Sequence, residues 1–344
     1  DKHNGGGGDE TKDNEGGAAP AGVAFLIEMK CLTIGEKLGN GAFGDVMRGT
    51  HDQAMKTGAV ISTPVAIKMV SAEHAADPDK LADLIAENDR LARCDSPFVV
   101  KCLGTAIEPS DQSMAIVMAL CDKGDLKGHT NAGRFDVLDG SRMCPVPHAE
   151  MVLITLDVLL GIAYIHNDLR MIHRDLAARN IMLKTGPGGV LVAQLADLGM
   201  SREMGEGKTY YAISNNAKLP LAWLPPETAK EQKSESGGDK SQKADAAADM
   251  WAFGVTLYEM VTNCSGGRKD GPYLEEGTIR KANGATKLAD ISYIRPFIVN
   301  KKGGIPGGRL HIPDECPAEL RVLLEALWAN KKKDRPTALQ CVLF

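Results

Sequence analysis

The chain has 344 residues, 43% hydrophobic and 25% charged, with a net charge of −5, an ordinary globular composition that suits two domains or one two-lobed unit. The acidic balance, with a pI near 6.0, argues against a nucleic-acid partner, which needs a concentrated basic face. The 8 cysteines include no CxxC pair and read as the reduced, mostly buried thiols of an intracellular protein.

Residues 1–22, rich in glycine and acids and without a large apolar side chain, are expected to stay disordered because nothing there repays ordering entropy. The start at Asp1 reads as a piece cut from a longer chain. From residue 23 the pattern is strand-like, in "CLTIGEKL", "DVMRGT", "VAIKMV", "VVKCLGTAI" and "SMAIVMAL". One helical stretch interrupts it, "DPDKLADLIAENDRLARC", whose apolar stripe is Leu81, Leu84, Ile85, Leu91 and Ala92. After residue 148 the pattern turns helical, in 148–166, "DMWAFGVTLYEMV" and "PAELRVLLEALW". The run 151–166 carries Asp157 and falls short of the ~20 residues a bilayer requires, so it predicts a buried core helix. The expectation is an α+β fold of two lobes. A small antiparallel β-sheet lobe with one main helix (23–118) joins through a hinge (119–124) to a larger helical lobe (125–344), with inserts near 230–243 and 285–308.

Several segments carry chemistry. "LGNGAFGDV" spaces Gly39, Gly41 and Gly44 as G-x-G-x-x-G, a loop whose bare backbone N–H groups can approach phosphate oxygens. Strands flank it on both sides, where a dinucleotide fold would require a helix to follow. Lys68 interrupts the apolar strand "PVAIKM" and needs a carboxylate to hold it. The helix at 81–92 offers two at the edges of its stripe, Glu87 and Asp89. "HRDLAARN" (173–180) supplies an acid able to accept a proton and an amide able to ligand a metal, and "LADLGMSR" adds Asp197.

In this order, with P-P-E at 225–227 and "ADMWAFG" downstream, these segments resemble the eukaryotic protein kinase domain over residues 28–344, in the form of receptor-type tyrosine kinases. The resemblance implies ATP as co-substrate and Mg²⁺ as cofactor. It makes Asp175 the base, Asn180 and Asp197 the metal ligands, and Lys68 the phosphate anchor, with Glu87 in preference to Asp89 as its partner. It also implies an adenine slot formed by Val46, Ala66 and Met182, with gatekeeper Met118, hinge backbone at Ala119 and Cys121, and Asp125 at the ribose. Tyr210 and Tyr211 resemble tandem activation-loop tyrosines whose phosphate would be drawn to Arg174. Glu227 with Arg335 resembles a buried ion pair, and Asp249 the acid that holds the catalytic-loop backbone.

Two segments bear on the acceptor. Ala177 stands where serine/threonine kinases carry lysine, and Arg179 supplies charge in the tyrosine-kinase manner. "KLPLAWLPPE" resembles the tyrosine-kinase segment whose proline floor leaves room for a phenol. Leu198 replaces the phenylalanine of D-F-G, and Ala222 replaces the usual Arg or Lys. The resemblance thus implies a protein tyrosine kinase switched by activation-loop phosphorylation, with tyrosine-bearing protein substrates and a transient homodimer for trans-phosphorylation. Its setting would be the cytoplasm or the cytoplasmic part of a membrane receptor. The alternatives are a serine/threonine or dual-specificity kinase, or a pseudokinase scaffold.

Overall fold

The structure is a computed structural model that describes residues 26–41, 44–70, 77–108, 114–131, 148–204, 210–213, 221–229, 242–262, 310, 312, 314 and 316–343. The tail 1–22, the insert 285–308 and nearly all of the insert 230–243 lie outside the described residues.

The small lobe is built on β1 (Leu26–Glu28), β2 (Leu32–Gly41), β3 (Gly44–Ala54), β4 (Val60–Met69), α1 (Pro78–Ala92), β5 (Cys102–Ile107) and β6 (Met114–Ala119). The strands form one six-stranded sheet in the order β1-β5-β6-β4-β3-β2. The antiparallel expectation holds throughout except at the β1 edge, where β1 runs parallel to β5. A three-residue edge strand carries too little sequence pattern to announce its direction. Period-two alternation explains the two faces of β4. Val65 and Ile67 are buried with Ala106, Ala115 and Val117 in a core of their own, while Ala66 and Lys68 alternate onto the opposite face.

α1 differs from the expected stripe. Ile85 is exposed, whereas Glu87, Asn88, Arg90 and Leu91 are buried; the side chains of Leu81 and Leu84 lie outside the description. The helix turns a partly polar face inward because it meets an ion pair and a loop backbone there as well as apolar side chains.

The large lobe comprises α2 (Leu126–Asn131), α3 (His148–Asn167), β7 (Met171–Ile172), β8 (Ile181–Thr185), β9 (Leu191–Leu195), β10 (Arg202–Glu203), β11 (Tyr210–Ile213), α4 (Pro226–Ala229), β12 (Gln242–Asp245), α5 (Ala246–Thr262), α6 (Ala318–Leu327) and α7 (Ala338–Val342). Its core gathers Ile154, Val158 and Ile162 of α3, Trp251 and Val255 of α5, and Trp328 after α6. α3 is long and apolar enough by composition to cross a bilayer, yet half of that window is buried in this core. Its Asp157 has a local use: the carboxylate accepts the Ala193 N–H at 2.9 Å, fixing α3 to β9. Among the described residues all six cysteines are unpaired.

α3 approaches the rest of the fold closely at Gly161, where a Cβ would stand 2.8 Å from the Phe98 carbonyl oxygen and 3.0 Å from Leu195 Cδ1. Gly161→Ala is therefore expected to destabilise the protein by about 1–3 kcal/mol, the overpacking penalty exceeding the gain in helix propensity. A lowered midpoint in urea unfolding would show it. An unchanged midpoint would mean that the helix shifts freely.

Candidate active site

Lys68 of β4 and Glu87 of α1 meet as a buried pair. Lys68 Nζ donates to Glu87 Oε1 at 2.6 Å, and both side chains are buried. Burial pushes the Glu87 carboxyl up, Lys68 opposes this, and nearby Asp197 adds to it. Glu87 Oε2 is buried without a hydrogen-bond partner. Asp89, the other carboxylate left open by helix geometry, is exposed.

The loop at 173–180 follows β7 and is held from below by Asp249 of α5. Asp249 Oδ2 accepts the His173 N–H (2.7 Å) and lies 2.7 Å from His166 Nε2, while Oδ1 accepts the Arg174 N–H (2.8 Å). Burial alone would raise the Asp249 pKa, but the hydrogen bond and charge of His166, with the loop N–H groups, hold it low. These bonds stabilise the positive φ of 71° at Arg174, a conformation costly for a non-glycine residue.

Asp175 is thereby presented with both oxygens engaged. Oδ1 accepts from Arg179 Nη2, and Oδ2 accepts from Asn180 Nδ2 at 2.8 Å. Burial pushes its carboxyl up; Arg179, His173 and Asn180 counter, and Asp197 reinforces the rise. Because Asn180 spends its amide N–H on the carboxylate and on the Asp175 carbonyl (2.8 Å), its oxygen is left as an acceptor. Asp197 has left-handed backbone (φ 58°) and accepts the Gly199 N–H. Asp197 and Asn180 are the residues that could hold a divalent cation: a carboxylate and an amide oxygen are hard donors of the kind Mg²⁺ takes. Among the described residues no group of three His, Cys, Asp or Glu is placed to hold a metal ion.

The other expected positions are placed by strand register. In register, Val46 lies opposite Lys68 and Ala66 opposite Met118, while Met182 is bridged to Asp125. The connection after β6 is pinned by Leu183 N–H to the Gly124 carbonyl and Lys123 N–H to the Leu183 carbonyl. Ala119 donates its N–H to the Lys101 carbonyl at 2.9 Å. Burial pushes the Cys121 thiol up to about 11, so Cys121 offers backbone rather than a thiolate. A Cβ on Gly39 would meet nothing within 4 Å, leaving open space over the β2–β3 hairpin, and Gly44 has a φ of 153°; Gly41 is paired with Gly44 where that hairpin turns. Tyr210 and Tyr211 lie on β11, paired antiparallel with β12, Tyr210 opposite Asp245 and Tyr211 opposite Ala244.

Three features escaped the sequence reading. Arg90, buried on α1, donates to the Leu198 and Gly199 carbonyls (3.1 and 3.2 Å). Gln194 joins the Pro97 carbonyl (2.6 Å) to Cys121 Sγ. Glu259 lies beneath Trp223 and Ala178. The one available signal was a polar residue on an otherwise buried face.

Downstream, Arg335 grips Glu227 with both Nη atoms (2.6 and 2.8 Å) and lies over the Trp251 ring. The Arg335 side chain is fully buried and that of Glu227 partly exposed. Arg335→Met should cost about 3 kcal/mol, toward the lower end for a broken buried pair because water reaches Glu227. Denaturant unfolding measures it, and a loss below about 0.5 kcal/mol would mark the pair as energetically idle.

A sheet-bearing lobe and a helical lobe, with a buried lysine–glutamate pair and an Asp–Asn–Asp cluster, define a protein kinase. The profile of the family described as protein tyrosine and serine/threonine kinase matches residues 32–344, and the chain belongs to that family. Activated Cdc42 kinase Ack of Drosophila melanogaster is 28% identical over 318 residues, covering 92% of this chain and 24% of the relative. Tyrosine-protein kinase Shark of the same organism is 28% identical over 324 residues, 94% of this chain and 29% of the relative. The tyrosine-protein kinase transforming protein RYK of avian retrovirus RPL30 is 28% identical over 320 residues, 92% of this chain and 61% of that protein. The chain thus spans less than a third of the length of the two fly proteins.

Proposed function

We propose that this domain transfers the γ-phosphoryl group of ATP to tyrosine hydroxyls of proteins. The observation that carries the reading is Asp175, buried but bonded at both oxygens and flanked by Asn180 and Asp197. In this reading a phenolic hydroxyl presented to Asp175 gives its proton to the carboxylate as the oxygen attacks the γ-phosphorus, whose bond to the bridging oxygen breaks to release ADP. Lys68, steadied by Glu87, anchors the α- and β-phosphates, and the glycine loop covers them with backbone N–H groups. Asn180 and Asp197 would hold Mg²⁺, which supplies charge neutralisation between phosphate oxygens. Val46, Ala66 and Met182 sandwich adenine beneath Met118, its edge meets the backbone at Ala119 and Cys121, and Asp125 reaches the ribose. Arg179 lies over the Trp223 ring, 4.9 Å from its centroid, a flat charged surface of the kind an aromatic acceptor can use.

Tyrosine specificity draws further support from the relatives named as tyrosine kinases. Ala222 is buried and offers no charge to a peptide, which keeps dual specificity as the second reading. Phosphoamino-acid analysis after incubation with ATP and mixed peptides is expected to give phosphotyrosine; label confined to serine would overturn the reading. Regulation belongs to the same proposal. Phosphate on Tyr210 or Tyr211, added within a transient homodimer and drawn to Arg174, orders the activation segment. Mass spectrometry of active enzyme should find that phosphate, and its consistent absence would remove the switch. The lobe limits 23–118 and 125–344, with the hinge at 119–124, and a cytoplasmic or receptor-tail setting complete the proposal.

A further inference from the structure

Glu259 stands in an apolar stretch of α5, 4% exposed, and phosphoryl transfer as described makes no use of it. A buried carboxylate is costly unless strongly bonded, and an apolar side chain of its size would avoid the cost. Its bonds all lead to one place. Oε2 accepts the Ala178 N–H at 3.3 Å and the Trp223 Nε1–H at 3.2 Å. Ala178 is the residue before Arg179, and the Trp223 ring lies beneath the Arg179 guanidinium, which in turn bonds Asp175 Oδ1. One oxygen therefore fixes both the backbone leading into Arg179 and the surface on which Arg179 rests.

Resting on the phosphotransfer reading, we propose that Glu259 is a positioning residue that couples the 221–223 segment to Arg179 and so sets the placement of the Asp175 carboxylate. The charged groups facing it are Arg179 from the 178–180 turn and Lys127 from α2, with the Trp223 indole from the 221–223 turn. Burial pushes the Glu259 carboxyl up to about 7, against the pull of the Ala178 and Trp223 N–H groups and the two cations. The sign follows from a raised value. Below about 7 the group is protonated, its hydrogen bonds weaken and its charge no longer steadies Arg179; above it the grip is complete. Folding stability runs the other way, being greatest below the ordinary 4.5 and falling as pH rises through about 7.

The test uses the whole chain and two independent readouts. In kinetics, Glu259→Leu is expected to lower kcat for a tyrosine peptide about 10-fold or more with KM for ATP within about 2-fold, since misplacement acts on the chemical step. Glu259→Gln, which can still accept both N–H groups, should recover much of that kcat yet lose the pH limb with its midpoint near 7. Trp223→Phe keeps a ring but removes one donor, and should lower kcat even if Glu259→Leu fails to fold. Wild-type kcat and an unchanged pH profile in Glu259→Gln would overturn the inference. The second readout needs no activity. Of the 3 tryptophans, one indole N–H resonance should titrate with a midpoint near 7, be missing in Trp223→Phe, and lie flat in Glu259→Gln. A Trp223 signal indifferent to pH would overturn the coupling whatever the kinetics. A wild type with this titration but no phosphotransfer, indistinguishable from Asp175→Asn, would instead overturn the functional reading.

Discussion

Asp175→Asn is expected to lower kcat about 10²–10⁴-fold while leaving ATP affinity near the wild-type value, because general-base catalysis is lost and the nucleotide slot is untouched. The damage should exceed the loss of a proton acceptor. Asp175 accepts from Arg179 at one oxygen and from Asn180 Nδ2 at the other. An asparagine must turn an NH₂ group toward one of these donors, so either Arg179 swings away or the Asn180 amide rotates, taking with it the oxygen proposed to ligand the cation. The fold should not suffer. Burial raises the Asp175 carboxyl, so its charge opposes folding above the ordinary carboxylate range, and the neutral variant should melt at or above the wild-type temperature at neutral pH. Stopped turnover with intact calorimetric ATP binding and an undiminished melting temperature would bear this out. A marked loss of stability would show that the carboxylate serves as a structural acceptor first.

Lys68→Met is expected to strike both activity and stability. It leaves Glu87 buried, with one oxygen already lacking a partner and the other deprived of its cation, and breaking such a pair costs about 3–5 kcal/mol. The deficit should depend on pH. Burial already pushes the Glu87 carboxyl up, and removing Lys68 pushes it further. Stability present at low pH, where both folded and unfolded chains are protonated, is then lost as pH rises through the raised folded value. The gap between wild type and Lys68→Met should therefore widen from pH 5 to pH 8 in urea titrations. Lys68→Met combined with Glu87→Leu should recover most of the stability, since replacing a whole buried pair by apolar groups is often neutral. It should recover no activity. A double variant as unstable as the single one would mean that the loss comes from packing rather than from the stranded charge.

How much of this was readable beforehand depended on how local the physics was. Loops that meet phosphate and metal restrict residue type at fixed spacing, so Gly39, Lys68, Asp175, Asn180 and Asp197 stood out; of these the structure pairs Lys68 with Glu87 and joins Asn180 to Asp175. The long helices announced themselves by periodicity, α3 and α5 within a few residues. Glu87 could not be separated from Asp89 by helix geometry alone; the resemblance chose it, and the structure pairs it with Lys68, 19 residues away. Glu259 was harder still, its partners Ala178 and Trp223 lying 81 and 36 residues off, where no short pattern can point. Arg90 binds carbonyls 108 and 109 residues downstream, so a helical wheel could only call Ile85 apolar and miss that the inward face is partly polar. The pairing of β11 with β12 joins two four-residue strands, too short for alternation to register.

The loop that follows α1 also ties the small lobe to the large one. Phe98 and Val100 exchange hydrogen bonds with Leu195 of β9 at 2.8 Å each, and Gln194 adds the Pro97 carbonyl. The trailing end of α1 is thus riveted to the large lobe, although the helix belongs to the small one. Farther back along the helix, Glu87 is held by a lysine on the small lobe's sheet. The helix is therefore held at three places along its length, by the sheet through Glu87, by the 198–199 backbone through Arg90 and by β9 through the segment 97–100, so none of these contacts can lengthen without loading the other two.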